Sequence, residues 1–221
     1  MAFPSRHYTI LPCDYESVTQ WAPKFIEFRL NALKSAPQCT TSSYELEAAI
    51  PQQEWISTLS KPVFRVLLCV SRNIESQGPV HVWDSEWVGV LCMYGPRYND
   101  KEDCLESTWY LGGGFVSPLH RGRSTLRDIY NFGIQQATNT DRSLAKNRQS
   151  RTGIEIIAKA NDAPTLRYYR TGGLEVTQSM TLGEYYAQAG WSFSISADLL
   201  GLKIVVMRMV IEREAAVRPR L

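Results

Sequence analysis

Gly112-Gly113-Gly114-Phe115-Val116-Ser117-Pro118-Leu119-His120-Arg121-Gly122-Arg123-Ser124-Thr125-Leu126 is the stretch on which the fold turns. It closes an apolar, aromatic run that starts at Thr108, stops at Ser117-Pro118, passes a basic corner containing a glycine, and reopens at Ser124, a residue suited to cap a helix. Beyond it Leu126, Ile129, Tyr130, Ile134 and Ala137 fall on one helical face, and Gly133 permits close packing there. A strand, a basic turn and a helix start in that order make a site for anions, because first-turn N–H groups lack intrahelical partners and the helix dipole is positive there. Arg121 to Leu126 supplies successive backbone donors and two guanidinium groups, and each anion–dipole contact is worth roughly 0.3 to 2 kcal/mol. Several together would hold a diphosphate. The plainer alternative is a solvated basic turn before an ordinary core helix, and the neighbouring segments must decide between them. The three glycines mark either a β-bulge or a backbone that accepts a ligand as if it were a neighbouring strand.

Upstream, Tyr8 to Leu11 is a short β-rich run ending at Pro12, and Asp14 can cap a helix that continues to Leu33, with Pro23 expected to kink or split it. Ser42-x-x-Glu45 has the capping-box pattern of a second helix, and Pro51 before Trp55 and Leu59 signals a third. Phe64 to Val70 and Trp87 to Tyr94 are nearly continuous apolar runs and predict two core strands in a hairpin. Downstream, Thr138 to Ser150 is polar and expected as loop, and Gly153 to Ala160 is a strand. Asp162 caps a short helix ending at Gly172-Gly173, and Leu202 to Ile211 is the last strand. The segment before Leu202 carries no assignable pattern.

The 221 residues, 44% hydrophobic, can bury one sizeable core. With 24 basic and 22 acidic side chains nearly cancelling, nucleic acid and anionic membrane surfaces are disfavoured as partners. Arg213 to Arg220 is expected as a frayed, solvated tail. The cysteines at 13, 39, 69, 92 and 104 have no metal-ligand or redox spacing, so no metal is expected, and Cys69 and Cys92 belong to apolar runs as core thiols. No signal pattern opens the chain and no stretch approaches the roughly 18 to 20 apolar residues of a membrane span. A cytoplasmic location is expected.

Phe115 to Ser124 resembles the strand-turn-helix of the GNAT acyltransferase superfamily, whose turn reads Arg/Gln-x-x-Gly-x-Gly/Ala. Arg121 takes the first place and Gly122-Arg123 follow. Ser124 stands where the main glycine is usual and Leu126 where Gly or Ala is, so either the leucine turns inward to the core or the loop is widened. The segment Asn161-Asp162-Ala163-Pro164-Thr165-Leu166-Arg167-Tyr168-Tyr169-Arg170-Thr171-Gly172-Gly173 is similar to the family's Asn-x-x-Ala-x-x-Leu-Tyr-x-x-x-Gly-Phe signature. Asn161, Tyr168 and Gly172 keep its spacing, whereas Pro164, Arg167 and Gly173 depart from it. Phe28 to Pro37 also resembles the N-terminal helix of fungal members.

The resemblance implies an α/β (α+β) GNAT fold: a central mixed, mostly antiparallel sheet, splayed between its fourth and fifth strands and flanked by helices. It implies one domain over 1–221, with an N-terminal strand and helices over about 6–60, a cofactor-binding core over about 64–175 and C-terminal strands over about 175–212. Acetyl-coenzyme A is the implied acyl donor, bound by Phe115, Val116, Arg121, Gly122, Arg123, Ser124, Thr125, Asn161 and Pro164. The implied reaction is direct transfer of the acetyl group to a primary amine of a small molecule or peptide, by a monomer or homodimer. Tyr168 is the general acid by register, with the adjacent Tyr169 the other candidate. The strand from Ser107 to Pro118 holds no Asp, Glu or His, so the general base is sought among Glu86, Glu106 and His120, in a water relay, or is not needed because the acceptor is already neutral. The alternative, motivated by Ser124, Leu126 and the missing base, is a catalytically altered acyl-coenzyme A-binding protein, or an enzyme using the fold for another reaction.

Overall fold

The computed structural model describes residues 5–72, 82–122, 124–146, 148–189 and 197–214. Strand β1 (Ser5–Ile10) leads to Asp14, whose carboxylate accepts the Ser17 N–H at 2.9 Å and caps helix α1 (Tyr15–Ser35). Pro23 neither splits nor ends α1. It lies on the exposed side, where solvent can satisfy the carbonyl that its missing N–H releases. The next helix, α2 (Tyr44–Ala48), is capped one residue later than the box pattern predicts: Ser43 Oγ accepts the Leu46 N–H at 3.2 Å, while the Ser42 N–H is taken by Thr40 Oγ1. Helix α3 (Gln52–Leu59) begins directly after Pro51.

Strands β2 (Phe64–Arg72), β3 (Glu86–Asp100) and β4 (Cys104–Val116) follow as an antiparallel meander, with β1 added to β2. Helix α4 (Thr125–Ala145) then crosses to β5 (Gln149–Lys159), which is parallel to β4. The chain finishes with α5 (Ala163–Thr171), β6 (Glu175–Thr181), α6 (Leu182–Ala189) and β7 (Lys203–Arg213). The sheet order is β1-β2-β3-β4-β5-β7-β6, and only the β4–β5 pair is parallel. Ile129, Tyr130 and Ala137 of α4 and Leu166 of α5 pack on one face of the sheet centre. On the other face α1 and α3 cover β2 and β3, while α6 covers Ile157, Ile204 and Val206. Among the described residues no helix is long and apolar enough to cross a membrane.

The polar stretch from Thr138 is helical to Ala145 rather than loop: Asn139, Arg142 and Ser143 are exposed on its outer side, while Thr138, Asp141 and Ala145 are buried. Asp141 is 0% exposed and accepts hydrogen bonds from Ser107 Oγ, from Thr152 Oγ1 at 2.6 Å and from Trp109 Nε1 at 3.2 Å. Ser107 and Thr152 face each other across β4 and β5, so one carboxylate from α4 fastens both strands. Pairing of the two runs from Cys104 with Gln149 to Tyr110 with Glu155 and ends there. Beyond that point β4 stays on β3 as far as Val116 and β5 stays on β7 as far as Lys159, but the two no longer pair with each other. The sheet therefore forks, as the resemblance implies.

Replacing Asp141 by alanine leaves three buried donors without their acceptor and is expected to cost roughly 2 to 4 kcal/mol. Urea unfolding followed by tryptophan fluorescence measures it. An undiminished midpoint would show that the fork's closed end is held by packing alone.

Candidate active site

The open edge of β4 carries the glycines. Between Val90, opposite Phe115, and Cys92, opposite Gly112, β4 holds an extra residue, and Gly113 adopts φ +63°. The β-bulge is thus real, and it sits on the part of β4 that β5 has left, with Gly113 and Gly114 exposed. Gly112 has a second reason to lack a side chain: a Cβ there would lie 2.5 Å from Tyr110 Oη, because that ring lies back over it. Leu126 turns inward, its Cδ1 3.3 Å from where a Cβ on Gly114 would stand, which keeps the leucine off the turn itself.

The turn is a short 3-10 segment, Pro118–His120, followed by Arg121 and Gly122. Arg121 folds back on β4, its Nε donating to the Val116 carbonyl at 3.1 Å and its guanidinium 5.3 Å from the Phe115 ring centroid. Gly122 has φ +75° and, among the described residues, nothing within 4 Å of the place a Cβ would take, so its backbone is open to solvent. Arg123 lies outside the described residues. Ser124 precedes α4 with φ +58° and does not cap it with its side chain; its Oγ instead donates to Asp128 Oδ2 at 2.6 Å. The first helical bond among the described residues is Asp128 N–H to the Ser124 carbonyl, so the N–H groups of Thr125, Leu126 and Arg127 precede the helical ladder. Asp128 brings a negative charge to the same helical turn.

On the other side of the mouth, Asn161 is exposed just past β5, and Asp162 caps α5 by accepting the Thr165 N–H at 3.2 Å. Pro164 stands exposed in the first turn of α5. Tyr168 and Tyr169 both pack on Tyr130 of α4, with ring centroids at 6.5 and 5.5 Å. Their hydroxyls differ. Tyr169 Oη is 2.6 Å from Tyr130 Oη, whereas Tyr168 lies in the field of Arg127 and Asp128 at the start of α4. Burial pushes the Tyr168 phenol up to about 12, so it stays protonated across the neutral range.

At the fork itself, the last pair is Tyr110 and Glu155. Burial holds the Tyr110 phenol well above its ordinary value, with Tyr186 and Tyr169 among its neighbours. Glu155 accepts the Tyr185 Oη–H at 2.6 Å and lies 3.6 Å from Arg97 Nη2, both contacts falling on Oε1. Nearby, Arg29 and Glu47 form a buried two-point pair at 2.8 and 2.7 Å that ties α1 to α2, with Arg29 Nη1 3.5 Å from the position of a Cβ on Gly113.

None of the three base candidates drawn from the sequence is at the fork. His120 Nε2 and Glu86 Oε1 come together at 3.2 Å beside the basic turn. Glu106 sits toward the closed end of β4, bound by Asn99, Lys101 and Arg151. The carboxylate that is at the fork, Glu155, went unnoticed in the sequence, where its signal is a single acid inside the apolar strand Gly153-Ile154-Glu155-Ile156-Ile157-Ala158.

No family model matches the chain, and no curated protein matches it. Solved structures do. Arabidopsis thaliana NAA60 in complex with a bisubstrate analogue superposes with a TM-score of 0.57 at 8% identity, covering 93% of this chain and 99% of that one. The same protein in complex with acetyl-CoA gives 0.54 at 10% identity, covering 94% and 99%. An acetyltransferase of the GNAT family from Streptococcus pneumoniae gives 0.52 at 10% identity, covering 93% and 100%. With these likenesses spanning nearly the whole chain, and with β4 and β5 parallel and parting at Tyr110 and Glu155, the fold is that of the GNAT acetyltransferase superfamily.

Proposed function

We propose that this chain is an N-acetyltransferase that moves the acetyl group of acetyl-coenzyme A to a primary amine of a small molecule or peptide. One observation carries the proposal: the two parallel strands separate at their C-terminal ends, between the starts of α4 and α5, where ligands of open sheets lodge. The residues present fit the donor, because the unpaired edge of β4 offers backbone groups to an amide-bearing arm and the open Gly122 backbone with the α4 first turn offers donors to a diphosphate. Arg121, Gly122, Ser124 and Thr125 hold the diphosphate, while Asn161, Pro164, Phe115 and Val116 hold the arm. Bound there, the donor supplies an activated thioester.

The chain's own part is proton handling and positioning. Glu155 uses Oε2, which its contacts with Tyr185 and Arg97 leave over, to hold the acceptor's ammonium and take its proton. A backbone N–H of Phe115 or Val116 donates to the carbonyl oxygen as charge grows on it. Tyr168 keeps its O–H up to about pH 12 and so donates to the departing sulfur throughout the working range. Asp128 opposes the donor's charge at the helix start. The stretch of β4 from Ser107 to Val116 holds no Asp, Glu or His, which favours a second reading in which the fold binds an acyl-coenzyme A without transfer.

The test is a melting measurement with acetyl-coenzyme A followed by an acceptor panel with thiol detection. Donor at about 100 times its dissociation constant is expected to add roughly 2.7 kcal/mol, and thiol release is expected only with an acceptor present. Stabilisation without turnover across the panel selects the second reading. Tyr168→Phe is expected to lower turnover about 10- to 100-fold with donor affinity unchanged, since only the proton is removed. Unchanged turnover there, with a loss in Tyr169→Phe, would transfer the role to Tyr169. Asp128→Asn is expected to tighten coenzyme A binding about two- to fivefold by relieving repulsion at the helix start. Equal affinity would place the diphosphate away from α4.

A further inference from the structure

On the face opposite α4 and α5, a groove of about 620 Å³ lined by residues of β3, β4, β5 and β7 runs along the closed end of the fork and ends at Glu155. Its floor is a grid of cross-strand rows. Tyr110, Glu155 and Arg208 form one row, and Thr108, Gly153 and Val210 form the next. The missing side chain at Gly153 is filled by Arg208, which leans down from the row above: a Cβ there would stand 2.6 Å from its Nη2 and 3.0 Å from its Nε.

The groove's three arginines are not equivalent. Arg151 is saturated by Glu212 at 2.6 Å and Glu106 at 3.5 Å, and Arg97 reaches Glu155 at 3.6 Å and the Ala189 carbonyl at 3.5 Å. Arg208 makes no ion pair among the described residues, although Glu155 and Glu175 flank it in register on β5 and β6. It makes one long hydrogen bond, Nη2 to Thr108 Oγ1 at 3.4 Å, and its Nε is shielded from solvent without an acceptor. A half-buried guanidinium left in that condition is costly unless an anion completes it. The geometry points to Arg208 as the binding group for a carboxylate of the acceptor. The acceptor is then an amino acid or a short peptide, with its amine at Glu155 and its carboxylate one row away, about 7 Å along the strands. Thr108 assists, and Tyr98 and Val210, 43% and 45% exposed, give the groove apolar surface for the acceptor's body.

This inference rests on the acetyltransferase reading, so the experiment keeps the two apart. Coenzyme A is titrated calorimetrically into wild-type protein, Arg208→Gln and Arg208→Lys. β-Alanine, γ-aminobutyrate and glycylglycine, each beside its carboxamide, are then titrated into the three proteins in the presence of coenzyme A. At least one acid is expected to bind wild type on the order of 10- to 100-fold tighter than its amide. Arg208→Gln is expected to abolish that preference, Arg208→Lys to keep part of it, and coenzyme A to bind all three alike. Acids and amides that bind equally, or not at all, while coenzyme A binds, overturn the carboxylate site and leave the donor reading standing. An acid preference that survives in Arg208→Gln also overturns it. Failure of coenzyme A to bind wild type overturns the donor reading, and the acid preference then reports on the Arg208 site alone.

Discussion

A single buried carboxylate sets the terms for the rest of the molecule. Parallel strands are joined by slanted bonds and need a crossover helix between them, and here the crossover helix itself supplies the fastening. Asp141 reaches from α4 to the hydroxyls of Ser107 and Thr152 and to the Trp109 indole. Three donors converge on the one carboxylate, and among the described residues no cation pairs with it. With the closed end fixed in this way, β4 and β5 can part only toward their C-terminal ends, which is where α4 and α5 begin. The same helix therefore locks the pair at one end and opens its first turn at the other.

The open end is built from phenols more than from charges. Tyr110, Tyr130, Tyr168 and Tyr169 surround the gap, and burial raises all four above their ordinary values. Such a wall stays neutral and offers O–H donors, while ionised groups stand at its rim: Arg121 and Asp128 on the α4 side, Glu155 on the other face. On the proposed reading, that separation suits chemistry in which a neutral amine must be generated before it meets a thioester, because the group proposed to take the proton stands outside the gap proposed for the donor. The buried Arg29–Glu47 pair serves the same geometry by joining α1 to α2 beside the Gly113 bulge. Its value is in positioning, since a buried ion pair is weak evidence for stability.

The sequence yields much of this and hides the rest for identifiable reasons. Asp14 and Asp162 cap helices in three-residue patterns that need no tertiary information, and the runs at Phe64 and Trp87 are strands because apolar content alone settles them. The end of α4 is hidden because Thr138 and Asp141 look solvated until Ser107, Trp109 and Thr152 arrive from distant positions. Strand β6 is hidden because it is an edge strand, exposed along most of its length, so it shows no alternation. Glu155 is hidden for a subtler reason. An acid in an apolar strand is visible, but its importance comes from standing at the last rung of a ladder, and where a ladder stops is decided by two strands together.

The glycines show how the two alternatives left by the sequence can both hold. Gly113 is a bulge by its φ and register, and the bulge lies where the neighbouring strand is missing, which makes it a place for a ligand's backbone-like arm as well. Gly112 and Gly153 extend the argument from backbone to side chains. Each removes a Cβ so that a neighbouring polar side chain can lie flat on the sheet, Tyr110 at the fork and Arg208 in the groove. A phenol and a guanidinium laid down in this manner line opposite ends of one path across the sheet face, with Glu155 between them in register. Polar groups spread over a floor cleared by glycine point to an occupant that is itself polar at both ends, and an apolar amine would leave the Arg208 end of that floor unmatched.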